Sequence, residues 1–170
     1  MRAVDGRWSL VARASPSSSP GNSMEELRLG DQVIRYNREA TAEAYQHVES
    51  GCSDHCSCNQ CRNFAKQKNT VYPTEFLHLL QQLGIDPTKD SDVHVWGSVD
   101  AGWCPYGGWF YLVGEVVERG WSVAQVAKGF QCFFRECGTV SASPAWRGLD
   151  LLALEFMIKI AWLLPMDERP

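Results

Sequence analysis

The chain has 170 residues, of which 45% are hydrophobic and 21% are charged, and its net charge is −4. These values predict one soluble domain, since a typical domain holds roughly 100–200 residues and no apolar run approaches the roughly 20 residues that cross a bilayer. The acidic balance argues against a general nucleic-acid binder, which usually carries a strongly basic surface.

The first 23 residues differ in composition from the rest of the chain. They include the run Ser15-Pro16-Ser17-Ser18-Ser19-Pro20-Gly21, which buries too little apolar surface to offset the entropy lost on ordering. We predict a disordered tail over 1–23, or an upstream extension of a gene whose true start is Met24. Residues 24–170 are predicted to form a single globular domain.

The first half of this domain predicts a strand or short hairpin and then helices. Apolar and polar residues alternate loosely from Leu27 to Tyr36, and Asn37 can cap a helix from Arg38 to about Val48. A further helix begins at Pro73 and ends before Gly84, because its apolar residues recur with helical spacing. Those residues are Phe76, Leu79, Leu80 and Leu83.

The second half predicts strands around one helix. Val93 and Val95 indicate a strand, and a turn at Gly107-Gly108 precedes an interior strand over 109–117, whose two faces are both apolar. Ser122 and Gln125 fit a capping box, which predicts a helix up to Gly138. A loop over 139–148 then leads to a strand over 151–164.

This order lacks the regular alternation of strands and helices found in a doubly wound sheet. We therefore predict an α+β fold with a mostly antiparallel sheet and helices packed on one face. A cysteine-rich loop is expected between the first two helices.

Four of the seven cysteines lie within ten residues. The odd total, the tight clustering and the lack of a secretory apolar run near Met1 fit a reducing compartment better than a secreted disulfide framework. The expected location is the cytoplasm.

The spacing within this cluster predicts a metal site. Cys58 and Cys61 have the C-x2-C spacing by which a tight turn points two thiolates at one ion, and an irregular backbone can bring Cys56 beside them. We predict these three as the core of the site, with Cys52 or a distant residue as fourth ligand and His55 as an additional candidate. Zinc is the expected ion, ahead of Cu(I) or an iron–sulfur cluster.

Two interpretations of the cysteines need no metal. They can be free thiols, or Cys58 and Cys61 can form a redox pair, although no βαβ pattern precedes them as in a thioredoxin-like motif.

Aromatic residues are dense between residues 96 and 111. Packing in the core is the first explanation for them. A binding surface is the second, because aromatic side chains with polar tips bury a large area at low entropy cost. The candidates for that surface are Trp96, Trp103, Tyr106 and Trp109.

Several motifs occur together in a fixed order: Cys56-Ser57-Cys58-Asn59-Gln60-Cys61-Arg62-Asn63-Phe64, then Tyr72-Pro73 through Leu83-Gly84-Ile85-Asp86-Pro87, then Tyr106-Gly107-Gly108-Trp109-Phe110, then Leu154-Glu155-Phe156. Over about residues 27–165 the chain thereby resembles a family of small, uncharacterised bacterial proteins with a C-x-C-x2-C-R-N-F tract. The resemblance implies a bacterial, single-domain cytosolic protein centred on the same three cysteines. It implies no particular reaction.

The leading hypothesis is a non-enzymatic, metal-stabilised domain that binds a protein or small-molecule partner through its aromatic surface. The alternative is a metal- or thiol-dependent enzyme with an open coordination position, whose general base would be His55, Asp54 or a residue from 92–100. A zinc module that contacts nucleic acid through Arg62 and Lys66 is a third hypothesis, which predicts steeply salt-dependent binding. The fourth ligand separates the first two, because a closed four-cysteine site is structural and an open three-ligand site permits catalysis.

Overall fold

Residues 23–137 and 144–168 are described by the computed structural model, and within them lie seven strands and five helices. The strands are β1 (Glu25–Leu29), β2 (Gln32–Tyr36), β3 (Asp92–Val95), β4 (Trp103–Glu118), β5 (Ala124–Ala127), β6 (Phe130–Cys137) and β7 (Leu151–Ala161). The helices are α1 (Arg38–Gln46), α2 (Cys52–His55), α3 (Asn59–Ala65), α4 (Lys68–Val71) and α5 (Thr74–Leu83). None of the helices in this part of the chain is long and apolar enough to cross a membrane. The tail predicted over 1–23 lies, except for Ser23, outside the described residues, as do Gly138 and the first part of the predicted loop.

The strands form one sheet in the order β1-β2-β4-β7-β6-β5, with β3 paired to β4. Every strand pair is antiparallel, so the predicted α+β class with a mostly antiparallel sheet is confirmed. The long strand β4 organises the sheet, because β2 and β3 pair with different parts of one edge while β7 pairs along the other.

Helix α1 fills the gap between β2 and β3 along the edge of β4. The Asn37 side chain caps this helix by accepting a hydrogen bond from the Ala40 N–H at 2.9 Å, as predicted. In the gap, Thr41 Oγ1 accepts from the Val113 N–H at 3.0 Å, and the Tyr45 hydroxyl donates to the Tyr111 carbonyl at 2.9 Å. These side chains replace the strand partners that β4 lacks there.

Helix α5 places the predicted apolar stripe in the core. Phe76, Leu79, Leu80 and Leu83 are all buried. The centroid of the Phe76 ring lies 4.5 Å from the centroid of the Phe130 ring on β6. Pro73 is the residue before the helix rather than its first residue. Gly84 ends the helix in the left-handed region, with φ of 76°.

A helix was predicted from Ser122 to Gly138. Over the described part of this range, which ends at Cys137, the prediction is wrong, because the residues form the hairpin of β5 and β6. On β6, Phe130, Cys132 and Phe134 are buried and the intervening Gln131 is exposed. This is the two-residue period of a strand, which the helical spacing of Val126, Phe130, Phe133 and Cys137 obscured in the sequence. The hairpin also explains the position of Gly129, whose φ of 74° suits the tight turn.

The turn predicted at Gly107-Gly108 is also wrong. Both glycines lie within β4, where they pair with His94 and Val93 of β3. A Cβ atom at Gly108 would lie 2.6 Å from the Phe156 ring and from the Asp92 carbonyl oxygen, so the glycine permits close packing rather than a turn.

Candidate metal centre

The cysteine tract lies between α1 and α5, and it contains the short helices α2 and α3 where a loop was expected. Cys56 ends α2, and Cys58 is the residue that caps α3. The Cys58 Sγ accepts a hydrogen bond from the Cys61 N–H at 3.5 Å, which places these two side chains together at the start of α3. The backbone at Cys56 and Cys58 is extended, and it places the Cys56 side chain beside the other two cysteines.

The structure brings together the three cysteines that the spacing predicts as the core of the site. The Sγ atoms of Cys56, Cys58 and Cys61 all lie within 4.8 Å of one another, and those of Cys56 and Cys58 are 3.3 Å apart. Tetrahedral zinc with bonds of about 2.3 Å holds its sulfur ligands roughly 3.8 Å apart. Small rotations of the side chains therefore suffice to fit the triad to one metal ion.

The triad extends from the core to the surface. Cys61 is buried, Cys56 is half-buried and Cys58 is exposed. Hydrogen bonds from Cys58 and Cys61 lower the pKa of the Cys56 thiol, whereas burial, followed by its hydrogen bonds to Cys56 and Cys58, raises the pKa of Cys61. A metal ion that bound all three sulfur atoms would displace their protons.

Cys52 does not belong to the group of three in this structure. Its Sγ faces the Asp92 carboxylate, with 3.7 Å between the sulfur and Oδ1. Burial, with the negative charges of Asp92 and Asp90, raises the pKa of this thiol to about 11. Cys52 is therefore a protonated thiol at neutral pH and donates to Asp92.

His55 also lies apart from the triad. Its Nε2 contacts the Ser50 hydroxyl, and its ring lines a cavity of about 190 Å³ that none of the three clustered cysteines lines. Aromatic rings of Tyr45, Tyr111 and Trp146 form much of the cavity wall.

Asn63 attaches α3 to the sheet, a role that was not predicted from the sequence. It is fully buried, its Oδ1 accepts from the Leu163 N–H at 2.7 Å, and its Nδ2 donates to the Ala161 carbonyl at 3.1 Å. The Nδ2 also lies 3.3 Å from the Tyr106 hydroxyl. The helix that carries Cys61 is thereby fixed to the end of β7.

A buried ion pair joins α4 to the segment before β3, and α2 contacts both of its members. The Lys68 ammonium contacts the buried Asp90 carboxylate and lies 2.8 Å from Asp54 Oδ2. Asp90 also accepts 2.9 Å hydrogen bonds from the Ser53 N–H and hydroxyl. A Cβ atom at Gly51 would collide with the head groups of both Asp90 and Lys68, so a larger residue there would displace this ion pair.

The aromatic candidates divide between the two faces of the sheet. Trp96 is 57% exposed and Trp103 is 55% exposed, while Trp109 is half-buried against His94. Tyr106 points into the core and its hydroxyl donates to the Gln60 carbonyl at 2.8 Å, so it takes no part in an outer surface.

Arg62, one of the two basic residues of the nucleic-acid hypothesis, is engaged within the chain. Its guanidinium lies 2.9 Å from Glu168 Oε2 and 3.0 Å from Asn59 Oδ1. Lys66, the residue that follows α3, is exposed. The pair therefore offers one free basic head group rather than the stripe that phosphate binding requires.

The fold and the site define a mostly antiparallel α+β protein with a cysteine triad open to the surface. Comparison with protein-family models, with curated proteins and with solved structures finds no match to this chain. Function is therefore inferred from the chemistry of the site itself.

Proposed function

We propose that this protein is a metal-binding domain in which Cys56, Cys58 and Cys61 hold one zinc ion. The observation that carries the proposal is the convergence of three sulfur atoms within 4.8 Å on a framework fixed from both sides. Three thiolates are soft ligands that select zinc or Cu(I) over hard cations such as Mg²⁺. Zinc is favoured because it accepts tetrahedral sulfur coordination without redox chemistry.

Binding is favoured over catalysis by the state of the nearby polar residues. A hydrolytic site needs a general base within reach of the reacting atoms. His55 contacts Ser50 and faces another cavity, while Asp54 pairs with Lys68. The metal would order the segment from Cys56 to Cys61, and the exposed rings of Trp96 and Trp103 would contact a protein or small-molecule partner.

One observation keeps an enzyme as the second candidate. Among the described residues the group of metal-ligating side chains numbers three, and its outermost member is exposed. A tetrahedral ion held by three ligands keeps one position for solvent or substrate, which is the arrangement of catalytic zinc sites.

The test is the metal content of protein purified without added metal. We expect about one zinc ion per chain in the wild type, little in Cys58→Ser, and wild-type content in Cys137→Ser, a control thiol on β6. Elemental analysis also distinguishes copper and iron from zinc. Metal-free wild-type protein that, once fully reduced, binds neither added zinc nor Cu(I) would refute the proposal.

A further inference from the structure

The triad lacks a fourth ligand of its own among residues 23–137 and 144–168. A tetrahedral ion held by Cys56, Cys58 and Cys61 would keep its remaining position on the side of Cys58, the most exposed of the three. What occupies that position determines what the site can recognise.

Cys52 is the fourth cysteine of the tract, but its backbone and its side chain both make other contacts. Its N–H donates to the Asp90 carbonyl at 2.8 Å, and the neighbouring Ser53 is fixed to the Asp90 carboxylate by two hydrogen bonds. The thiol itself faces Asp92. Recruiting this thiol to the triad would break its contact with Asp92.

The chemistry of the triad selects what enters from outside. Three thiolates donate strongly to the ion and reduce its attraction for hard oxygen ligands such as water. Sites with four sulfur ligands are a stable and common form of zinc coordination, and this triad is one sulfur short of that form. Among the described residues the candidate general bases are engaged elsewhere: His55 contacts Ser50, Asp54 pairs with Lys68, and Asp92 accepts from the Cys52 thiol.

We propose that the open position of the triad binds an external thiol, so that the site recognises a sulfhydryl compound of low molecular weight. The inference rests on the proposed metal site. On binding, the S–H bond of the ligand breaks, its proton passes to solvent, a sulfur–metal bond forms and any water at that position leaves. The bound sulfur is then held as a thiolate at neutral pH.

Cobalt(II) makes this inference measurable, since it replaces zinc in thiolate sites and absorbs in proportion to the number of bound thiolates. The reduced protein is freed of thiol reductants and loaded with one equivalent of cobalt(II). It is then titrated with 2-mercaptoethanol, and with ethylene glycol as the matched compound that carries oxygen in place of sulfur. We expect the near-ultraviolet thiolate band to rise by about one third and to saturate with the thiol, and to stay constant with the diol.

The Cys52→Ser variant and the molecular mass separate the sources of a fourth sulfur. We expect the variant to show the same initial band and the same rise, and the loaded protein to keep the molecular mass that the metal-free protein has by light scattering. A full four-thiolate band before titration would overturn the proposal: its loss in Cys52→Ser would assign the position to Cys52, and a doubled mass would assign it to a second copy.

Two further outcomes distinguish this inference from the proposed function. If cobalt binds through three thiolates and the band does not change on addition of 2-mercaptoethanol, binding of an external thiol is refuted and the proposed metal site is supported. If the reduced protein binds neither cobalt nor zinc, both proposals fail.

Discussion

Asn63 shows how one buried polar residue fixes the position of the triad. Its carboxamide accepts from the Leu163 N–H and donates to the Ala161 carbonyl at the end of β7, a carbonyl that also accepts from the Gln67 side chain at 2.8 Å. An amide can do this because it offers a donor and an acceptor side by side, as a backbone peptide does.

Replacement of Asn63 by alanine should therefore be costly. It deletes a fully buried carboxamide and leaves the partly buried Leu163 N–H without its acceptor, and each polar group that loses its partner costs about 1–3 kcal/mol. We expect Asn63→Ala to lower the free energy of unfolding by about 2–4 kcal/mol and Thr70→Ala, an exposed control on α4, to change it by less than about 0.5 kcal/mol. Urea unfolding measures both, and equal values for the two variants would contradict this role for Asn63.

Asp31 fixes a second local structure, the turn that carries the fully exposed Trp121. The Asp31 carboxylate accepts from the Trp121 N–H at 3.0 Å and from the Ser122 hydroxyl at 3.0 Å. The hydrogen bond from the Trp121 N–H, assisted by those from Ser122, lowers the pKa of Asp31 below its ordinary value of 3.8. The residue predicted to cap a helix, Ser122, thus serves a turn between two strands.

This lowered pKa predicts a pH dependence with a definite sign. Because the folded pKa lies below the unfolded value, the stabilisation from Asp31 is fully present above about pH 4 and is lost as the pH falls through the folded pKa. We expect wild type to be more stable than Asp31→Asn at pH 7, and the difference to vanish at low pH, where the wild-type carboxyl is also neutral. Urea unfolding from pH 2 to pH 7 tests this, with Glu26→Gln as an exposed control on β1. A difference independent of pH would contradict it.

At the scale of elements, a buried ion pair joins α4 to the segment before β3, and hydrogen bonds from Ser53 join α2 to the same carboxylate. Lys68 of α4 is 7% exposed and contacts Asp90, which is 1% exposed and lies before β3. Removing one partner of a buried ion pair leaves an uncompensated charge in a poorly solvating environment. The pair therefore matters more for the geometry of the tract than its net contribution to stability would suggest.

We expect Lys68→Met to lower the free energy of unfolding by about 3–5 kcal/mol, because it leaves Asp90 buried and unpaired. The double variant Lys68→Met with Asp90→Asn should recover part of that loss. Lys66→Met, an exposed control next to the same helix, should change stability by less than about 0.5 kcal/mol. An additive loss in the double variant would show that the two side chains act independently.

Local patterns predicted the elements that depend on local physics. The cap at Asn37 and the stripe of α5 were predicted correctly, because capping and helical periodicity are set within a few residues. The hairpin of β5 and β6 was missed, because its residues satisfy both a helical and a strand period. What favours the strand is β7, which pairs with β6 along its whole length and lies more than ten residues away.

The same distinction applies to the site. The triad was predictable because its three cysteines lie within six residues, and the tight backbone of α3 brings them together. The position of Cys52 was not, since its partner Asp92 is 40 residues away in the sequence. The burial of Tyr106 likewise depends on pairing with the distant Ile158 of β7, and the position of Trp96 on a hydrogen bond from its N–H to the Pro105 carbonyl.

On the scale of the whole molecule, the metal site lies at the margin of the core: Cys61 is buried and Phe64 of α3 packs against Phe156, whereas Cys58 is exposed. The core is formed by the sheet with α5, where the rings of Phe76, Phe110, Phe130 and Phe156 pack against one another. The tract is attached to this core by Asn63 and by the Lys68–Asp90 pair, neither of which is a proposed metal ligand. The fold can therefore persist when the ion is absent.

The spacing of the ligands leads to the same conclusion. A metal stabilises a fold only by the difference between its binding to the folded and to the unfolded chain. Cys56, Cys58 and Cys61 are so close in sequence that the unfolded chain can also bind the ion with all three. Closing so short a loop costs little entropy, unlike a site that joins distant segments.

We therefore expect chelation of the metal to lower Tm by less than about 4 °C, which corresponds to about 1 kcal/mol for a chain of this size. Amide hydrogen exchange should instead accelerate locally, over residues 52–65, while β4, β7 and α5 keep their protection. Calorimetry and hydrogen exchange on zinc-loaded and chelated protein measure the two effects, and Cys58→Ser should show neither on chelation. Global unfolding on chelation would mean that the ion joins distant parts of the chain, which would contradict a site made from residues 56–61 alone.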